Sequence, residues 1–338
     1  MNTKRYIANP ALDLAVVDAN TIAIMQPAER FSIKGTNISV AVESIIDCFR
    51  APLSFDDAIL LLPKKYSTKT LNKMLAFLAE KKVLIDECDA EAQLQYKGAF
   101  LEKTFLYTER VSLQEILEKL AALRIGIIGT YQLVRCILSD LLNGELLLNF
   151  GVGITDSKVA ISDICDCAHI MIYDVISDSS HIQSFVEESD FIIVGSNFRN
   201  HYLFNLINKL CVNLDKKWLR VVIEGMNVEV GPLFVPEQTC CYSCLQTRML
   251  GNMTSEEIAI FDVYADIQIH EAEKEESLRF SSFYPLNPLA SGIANSEIMK
   301  HLVGMTCNLE NQVLTIDGRD YSMKLDYVYK DYRGPICM

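Results

Sequence analysis

Long apolar runs are missing from this 338-residue sequence. No segment approaches about 18 consecutive apolar residues, and the opening MNTKRYIANPALDL has no apolar stretch behind its basic residues, so neither a membrane span nor a secretory signal is read here. A cytoplasmic protein that makes no use of a membrane is the expectation. Positive charge is also short: 31 Lys+Arg face 44 Asp+Glu, a net −13. That balance opposes nonspecific attraction to phosphate backbones, and no nucleic-acid partner is expected. Histidine is scarce, five in all, and none has the H-x-x-x-H or H-E-x-x-H spacing of a metalloprotease. No serine sits in a G-x-S-x-G elbow either, so no nucleophilic or general-base constellation is visible. The eleven cysteines are odd in number and irregularly spaced. In a chain without a secretory signal this favours reduced thiols and one metal site over a disulfide framework.

What remains is a folded chain, half hydrophobic and 22% charged, long enough for about two domains. Charge divides it. Residues 1–88 carry eleven Lys+Arg against ten Asp+Glu, and the remainder carries 20 against 34. Within 1–88, the segments 11–17, 21–26 and 30–34 read as three short antiparallel strands separated by turn residues. Asn37, Ser54 and Ser67 then each precede a helical pattern as N-caps, and 83–87 closes the unit as a strand. Sheet, three helices and a wing predict a winged helix-turn-helix. The third helix places Leu71, Met74, Leu75 and Leu78 on one face, with Lys69, Lys73 and Lys81 elsewhere around it. Packing on the sheet, a bound partner, and a basic helix entering DNA are the readings open at this point. Acidity of the whole chain weighs against the last.

Residues 89–112 are polar and read as a linker. From 113 onward a helix leads into RIGIIG, and strands of near-continuous Ile, Val and Leu alternate with helices. This predicts an α/β domain over 113–338, a Rossmann-like doubly wound sheet with an antiparallel extension after Gly225. Gly129 ends the first strand where a phosphate loop belongs, but Thr130, Tyr131, Gln132, Leu133 and Val134 follow it. Backbone amides must approach a phosphate closely, and glycines make room for that, so the turn reads as architectural rather than nucleotide-binding. Further on, Cys241 and Cys244 form a C-x-x-C, a spacing that lets two thiolates reach one tetrahedral Zn²⁺. Cys337 supplies a third sulfur near the C-terminus. Structural zinc is the expectation, with a redox pair or plain cysteines as the alternatives. The fourth ligand stays open among Cys240, Cys307, a histidine and water.

The stretch VVIEGMNVEVGPLFVPEQTCCYSCLQTRML, residues 221–250, resembles the ubiquitin-activating-like (ThiF/MoeB-type) adenylating family, in which a G-P-L-[FY]-V-P segment and a C-x-x-C follow the nucleotide-binding half. RFSSFYPLNPLASGIANSEIMKHLVG, residues 279–304, and the terminal RGPICM are similar to further parts of the same family, so the likeness spans about residues 113–338. Microcin C-type adenylating enzymes, and the partner subunits of YcaO cyclodehydratases that make thiazole and oxazole peptides, resemble this layout. Both groups carry an N-terminal winged helix-turn-helix, the RiPP recognition element, consistent with the reading of residues 1–88. Active members keep loop glycines, a ribose-binding acidic residue and a triphosphate-binding arginine, whereas here no arginine occurs between the second strand and Arg199. The resemblance therefore implies a non-catalytic, leader-binding and activating subunit of a cyclodehydratase complex in ribosomal-peptide (bacteriocin-type) antibiotic biosynthesis. It implies a precursor-peptide leader, a YcaO-type enzyme and a flavin-dependent dehydrogenase as partners, and a homodimer through the α/β part. The leader would add as a strand beside Phe31 and Ile33, with its apolar side chains against Leu71, Met74 and Leu78 and its acidic ones near Lys34, Lys69 and Lys73. An active ATP-dependent adenylating enzyme and a winged-helix DNA-binding regulator are the alternatives.

Overall fold

The computed structural model describes residues 4–9, 12–25, 30–63, 65–95, 113–143, 148–155, 170–173, 180–259 and 283–331. It divides into two compact units, Met1–Glu118 and Lys119–Met338.

In the first unit β2 (Asp13–Asp18), β3 (Thr21–Met25) and β4 (Arg30–Lys34) form an antiparallel sheet in that order. α1 (Ile38–Cys48), α2 (Phe55–Leu61) and α3 (Thr68–Glu80) follow. Ile22 and Ile24 on β3 are fully buried, and Ile24 meets Ile45, Phe49, Leu71, Leu75 and Leu78 in one core. Ser54 and Ser67 cap their helices as their sequence positions imply, accepting the backbone N–H of Asp57 and Thr70. Asn37 does not cap with its side chain. It sits in the left-handed region at φ 53°, where asparagine is tolerated, and its own N–H donates to Asn20 Oδ1 at 2.9 Å. The closing strand β5 (Leu84–Asp86) leaves the three-stranded sheet alone and pairs antiparallel with β1 (Tyr6–Ala8). Directly after it comes α4 (Glu87–Gln95), within the stretch that reads as strand end and linker. Glu87 and Asp89 in its first turn suit a helix N-terminus.

α5 (Leu113–Ala122) carries the division between the units. The second unit is a mixed eight-stranded sheet in the order β13-β12-β11-β10-β9-β6-β7-β8. β6 (Arg124–Gly129), β7 (Asn149–Ile154), β8 (Ile170–Tyr173), β9 (Phe191–Ser196) and β10 (Lys217–Glu224) are mutually parallel. β11 (Asn227–Phe234), β12 (Gln312–Asp317) and β13 (Met323–Tyr327) extend it antiparallel. In the central strands β6, β7, β9 and β10 the residues alternate between two covered faces. Gly195 faces Leu133 and Ile137 of α6 (Tyr131–Asn143). Its neighbour Val194 lies in a core shared with Phe185 of α7 (Ser180–Glu188), Phe204 of α8 (His201–Asn213) and Leu245 of α9 (Tyr242–Gly251). α10 (Leu286–Leu302) packs with α6 and against β10 and β11. The parallel part is the doubly wound arrangement, and burial on both faces is why its strands read as unbroken aliphatic runs.

Candidate functional sites

In a doubly wound sheet, ligands bind outside the carboxyl ends of the strands where strand order reverses. Here that point lies between β6, whose successor β7 is on one side, and β9 on the other. Only Thr130 separates β6 from α6. Gly129 takes φ +149°, and a Cβ there would stand 1.6 Å from the Gly195 carbonyl oxygen. Thr130 N–H donates to that same carbonyl at 3.0 Å, and its hydroxyl donates to Asn197 Oδ1 at 2.6 Å. Asn197 Nδ2 in turn donates to Asn287 Oδ1 on α10 at 3.1 Å. Leu133 is fully buried against Gly195, while Tyr131 is half-buried and Gln132 exposed. Leu133 therefore packs into the core between α6 and the sheet, and of the residues standing where loop glycines belong, Tyr131 and Gln132 are the ones left toward solvent. The turn is tied directly to β9 by neutral hydrogen-bonding groups.

Beside this point, on β10 and β11, lies a buried ionic network. Arg220, 1% exposed, donates to Glu229 Oε2 at 2.6 Å and to the Gly231 carbonyl at 3.2 Å. Arg199, which the sequence reading treats only as the first arginine after a gap, bridges Glu224 and Glu229. Although burial pushes the Glu229 carboxyl up, the Arg220 and Arg199 guanidiniums hold it below the usual carboxylate range. His201 Nδ1 lies 2.7 Å from the Tyr242 hydroxyl. Burial first, then the two arginines, push this imidazole down to about 4. A cleft of about 340 Å³ opens over the network, with Arg199, Glu229, Arg248 and Lys324 among its walls.

Cys241 is the N-cap of α9 and Cys244 lies one turn inside it, both buried. Their sulfurs are 3.7 Å apart. Two thiolates each at about 2.3 Å from a tetrahedral zinc would be separated by about 3.8 Å, so the pair fits two vertices of such a site. Asp331 N–H donates to Cys244 Sγ at 3.2 Å, which brings the last described stretch of chain beside the sulfurs. Cys337 lies outside the described residues. Among the described residues no third cysteine, histidine or carboxylate joins this pair; Cys307 groups instead with His301 and Glu310.

In the first unit, β4 pairs with β3 on one side, and among the described residues no strand pairs with its other edge. Phe31 and Ile33 are half-buried on it, and Lys34 is exposed. On α3, Leu71 (3% exposed) and Leu78 (1%) belong to the core, whereas Met74 is half-buried at its margin. Lys69 and Lys73 are exposed. Phe77, absent from the apolar stripe legible in the sequence, is 38% exposed and meets the Phe31 ring edge-on, with centroids 6.4 Å apart. Lys81 Nζ stands over the same Phe31 ring at 5.5 Å. Phe31, Ile33, Met74 and Phe77 thus form an apolar strip between an open strand edge and a helix.

An α/β sheet with an antiparallel extension, a strand-order reversal and a following C-x-x-C defines a known class of protein. The sequence profile of the ThiF family matches residues 157–331, more than half of the chain, and the chain belongs to that family. Its fold is that of Escherichia coli MccB, with a TM-score of 0.70 at 14% identity over 98% of this chain and 96% of MccB. The microcin C7 biosynthetic enzyme MccB in complex with N-formylated MccA gives 0.69 at 14% identity, covering 99% of this chain and all of that one. The heterocyclase TruD gives 0.65 at 14% identity, covering 99% of this chain and 43% of TruD. No curated protein sequence matches the chain. Among the described residues, no helix is long and apolar enough to cross a membrane.

Proposed function

We propose that this protein captures the leader of a ribosomally made peptide and presents it to a partner modification enzyme, without adenylating the peptide itself. The observation that carries this reading is the edge of β4 that no strand covers among the described residues, beside the strip of Phe31, Ile33, Met74 and Phe77. An extended peptide adding to β4 gains main-chain hydrogen bonds, and its alternate side chains enter the strip, which supplies selectivity. Natural proteins cover or blunt such an apolar edge unless something binds there. In this reading the first unit is a winged helix-turn-helix of the RiPP-recognition type. Leu71 and Leu78 back the groove from within the core, Met74 and Phe77 line it, and Lys34, Lys69, Lys73 and Lys81 attract acidic leader residues. Each exposed ion pair adds about 1 kcal/mol or less. The partner is a YcaO-type cyclodehydratase, with a flavin-dependent dehydrogenase completing the complex, and the chain is a homodimer through its second unit. Likeness to MccB, solved with MccA, and to the heterocyclase TruD supports this context.

Binding is tested with the full-length chain and a labelled synthetic peptide of candidate leader sequence. Ile33→Asp should abolish binding, because an unpaired carboxylate in an apolar groove costs several kcal/mol. Leu71→Asp would test the fold instead, since that side chain is core. Retained affinity in a folded Ile33→Asp protein contradicts the assignment.

Two further expectations belong to the second unit. The Thr130 N–H is already bonded to β9, and Tyr131 and Gln132 stand in the loop where close approach of backbone amides to a phosphate calls for glycine. The protein alone should therefore give no leader-dependent exchange of pyrophosphate into ATP, and exchange above background would restore the enzyme reading. Cys241, Cys244 and Cys337 would hold one structural Zn²⁺, which pins the C-terminal segment to α9. Elemental analysis should find that ion in the native chain and lose it in Cys241→Ser. Zinc content unchanged in that variant overturns the site.

A further inference from the structure

The chain leaving α10 folds back on the helix that precedes it. Gly304 takes φ +76°, Met305 N–H donates to the Lys300 carbonyl at 2.7 Å, and the buried Glu297 carboxylate accepts the N–H groups of Asn308 and Leu309 at 2.9 and 3.2 Å. Leu233 N–H of β11 then donates to the Leu309 carbonyl at 2.8 Å, and Leu233 bridges Glu310 in parallel. Backbone bonds to Lys300 and Leu233, with the Glu297 carboxylate between them, thus hold this loop in place. The result brings three unlike donors together: His301 from the helix end, Cys307 from the loop and Glu310 from the bridge. One ligand atom of each lies within 4.8 Å of the others. Lys217 Nζ of β10 stands 3.3 Å from His301 Nε2. An ammonium has no lone pair to offer, so Nε2 is the acceptor and the imidazole already presents its lone pair to a cation.

We propose that His301, Cys307 and Glu310 form a second metal site, separate from the C-x-x-C, for a borderline-soft divalent ion of the Zn²⁺ type. The donor set of one imidazole nitrogen, one thiolate and one carboxylate oxygen suits that ion better than Mg²⁺ or Ca²⁺, which take oxygen ligands. Donors around a tetrahedral zinc stand about 3.3–3.8 Å apart, so the three side chains close by about 1 Å. Glu310 is exposed and free to make that adjustment. The ion takes the place of the Lys217 ammonium, whose flexible stem lets it swing to solvent. Cys307, now donating to the Glu297 carbonyl at 3.5 Å, gives up its proton to solvent as the S–metal bond forms, one proton per ion bound. Three protein ligands leave the fourth position to water. Bound there, the ion clamps the end of α10 to β11 and stabilises the second unit by mass action.

The probe is Co²⁺ titrated into the full chain after chelator treatment, followed by the thiolate-to-metal charge-transfer band. Relative to the native chain, Cys307→Ser should bind one tight Co²⁺ fewer, and Glu310→Gln should weaken one equivalent by about tenfold or more. Cys241→Ser should remove a different equivalent, so Cys241→Ser combined with Cys307→Ser loses both. Trp218 fluorescence checks that each variant is folded, and the exposed Glu310 decides the matter if Cys307→Ser is not. The same stoichiometry and affinity in Glu310→Gln as in the native chain overturn the proposal.

Discussion

Glu229→Ala should destabilise the second unit by about 3–5 kcal/mol, the usual cost of removing one partner from a buried ion pair. Arg220 is the reason. It is fully buried, and with Glu229 gone its positive charge keeps, among the described residues, the Gly231 carbonyl and the face of the Phe204 ring. Arg199 loses one of its two carboxylates in the same step. The readout is clean because the sequence has a single tryptophan, Trp218, buried two residues from Arg220. Urea unfolding followed by its emission therefore reports on this unit. The same cluster sets an acid response. An unfolded histidine takes up its proton near its ordinary value of 6.5, whereas folded His201 does so only at about 4. Across that window the unfolded chain binds more protons, so stability falls as pH falls, by roughly 3 kcal/mol in full. Glu229 adds to the loss at lower pH in the same sense, since its folded value lies below its unfolded one. His201→Gln should flatten the unfolding midpoint between pH 6.5 and 4. A midpoint equally pH-dependent in that variant would show that His201 is not the group responsible.

Gly129→Ala should prevent the second unit from folding. A methyl group there would lie 1.6 Å from the Gly195 carbonyl oxygen, at a φ of +149° that side chains rarely adopt. The neighbour is backbone of a central strand, so neither side can yield without breaking the β6–β9 ladder. A cost beyond about 4–5 kcal/mol is expected. Gly292→Ala is the matched control. It lies exposed within α10 with no atom within 4 Å of a new Cβ, where alanine favours a helix by about 1 kcal/mol. Red-shifted Trp218 emission in the first variant and native emission in the second is the expected pair. Native-like stability of Gly129→Ala would mean that the turn is looser than the β6–β9 contact requires.

These two sites differ in how far the sequence alone discloses them. The unbroken Ile/Val/Leu strands from Arg124 to Glu224 announce a covered parallel sheet, and Ser54 and Ser67 announce helix starts, because each signal is local. The β1–β5 ladder is hidden because two three-residue strands about 80 positions apart have no periodicity to detect. Arg220 and Glu229 are hidden for a related reason. Their pairing depends on an antiparallel register in which Val222 stands opposite Glu229, and a charged residue in an aliphatic strand gives no sign of its partner. On α3 the i, i+3, i+4, i+7 stripe is legible, but a helical wheel cannot tell its buried centre from its margin. Leu71 and Leu78 fall in the centre and Met74 at the margin, while Phe77, outside the stripe, meets Phe31 of β4. Metal-ligand candidates divide in the same way. Cys241 and Cys244 share one turn and are visible as a motif, whereas His301, Cys307 and Glu310 meet only because the chain doubles back after Gly304.

Leader capture at the β4 edge is the central claim, and hydrogen–deuterium exchange of the full chain with and without the synthetic leader tests it most directly. Strand addition converts solvated backbone N–H groups of β4 into bonded ones and covers α3 beside it. Protection on leader binding should therefore concentrate in residues 30–34 and 68–80, and Ile33→Asp should remove it. Protection confined to the second unit, or none at saturating leader, would contradict the account.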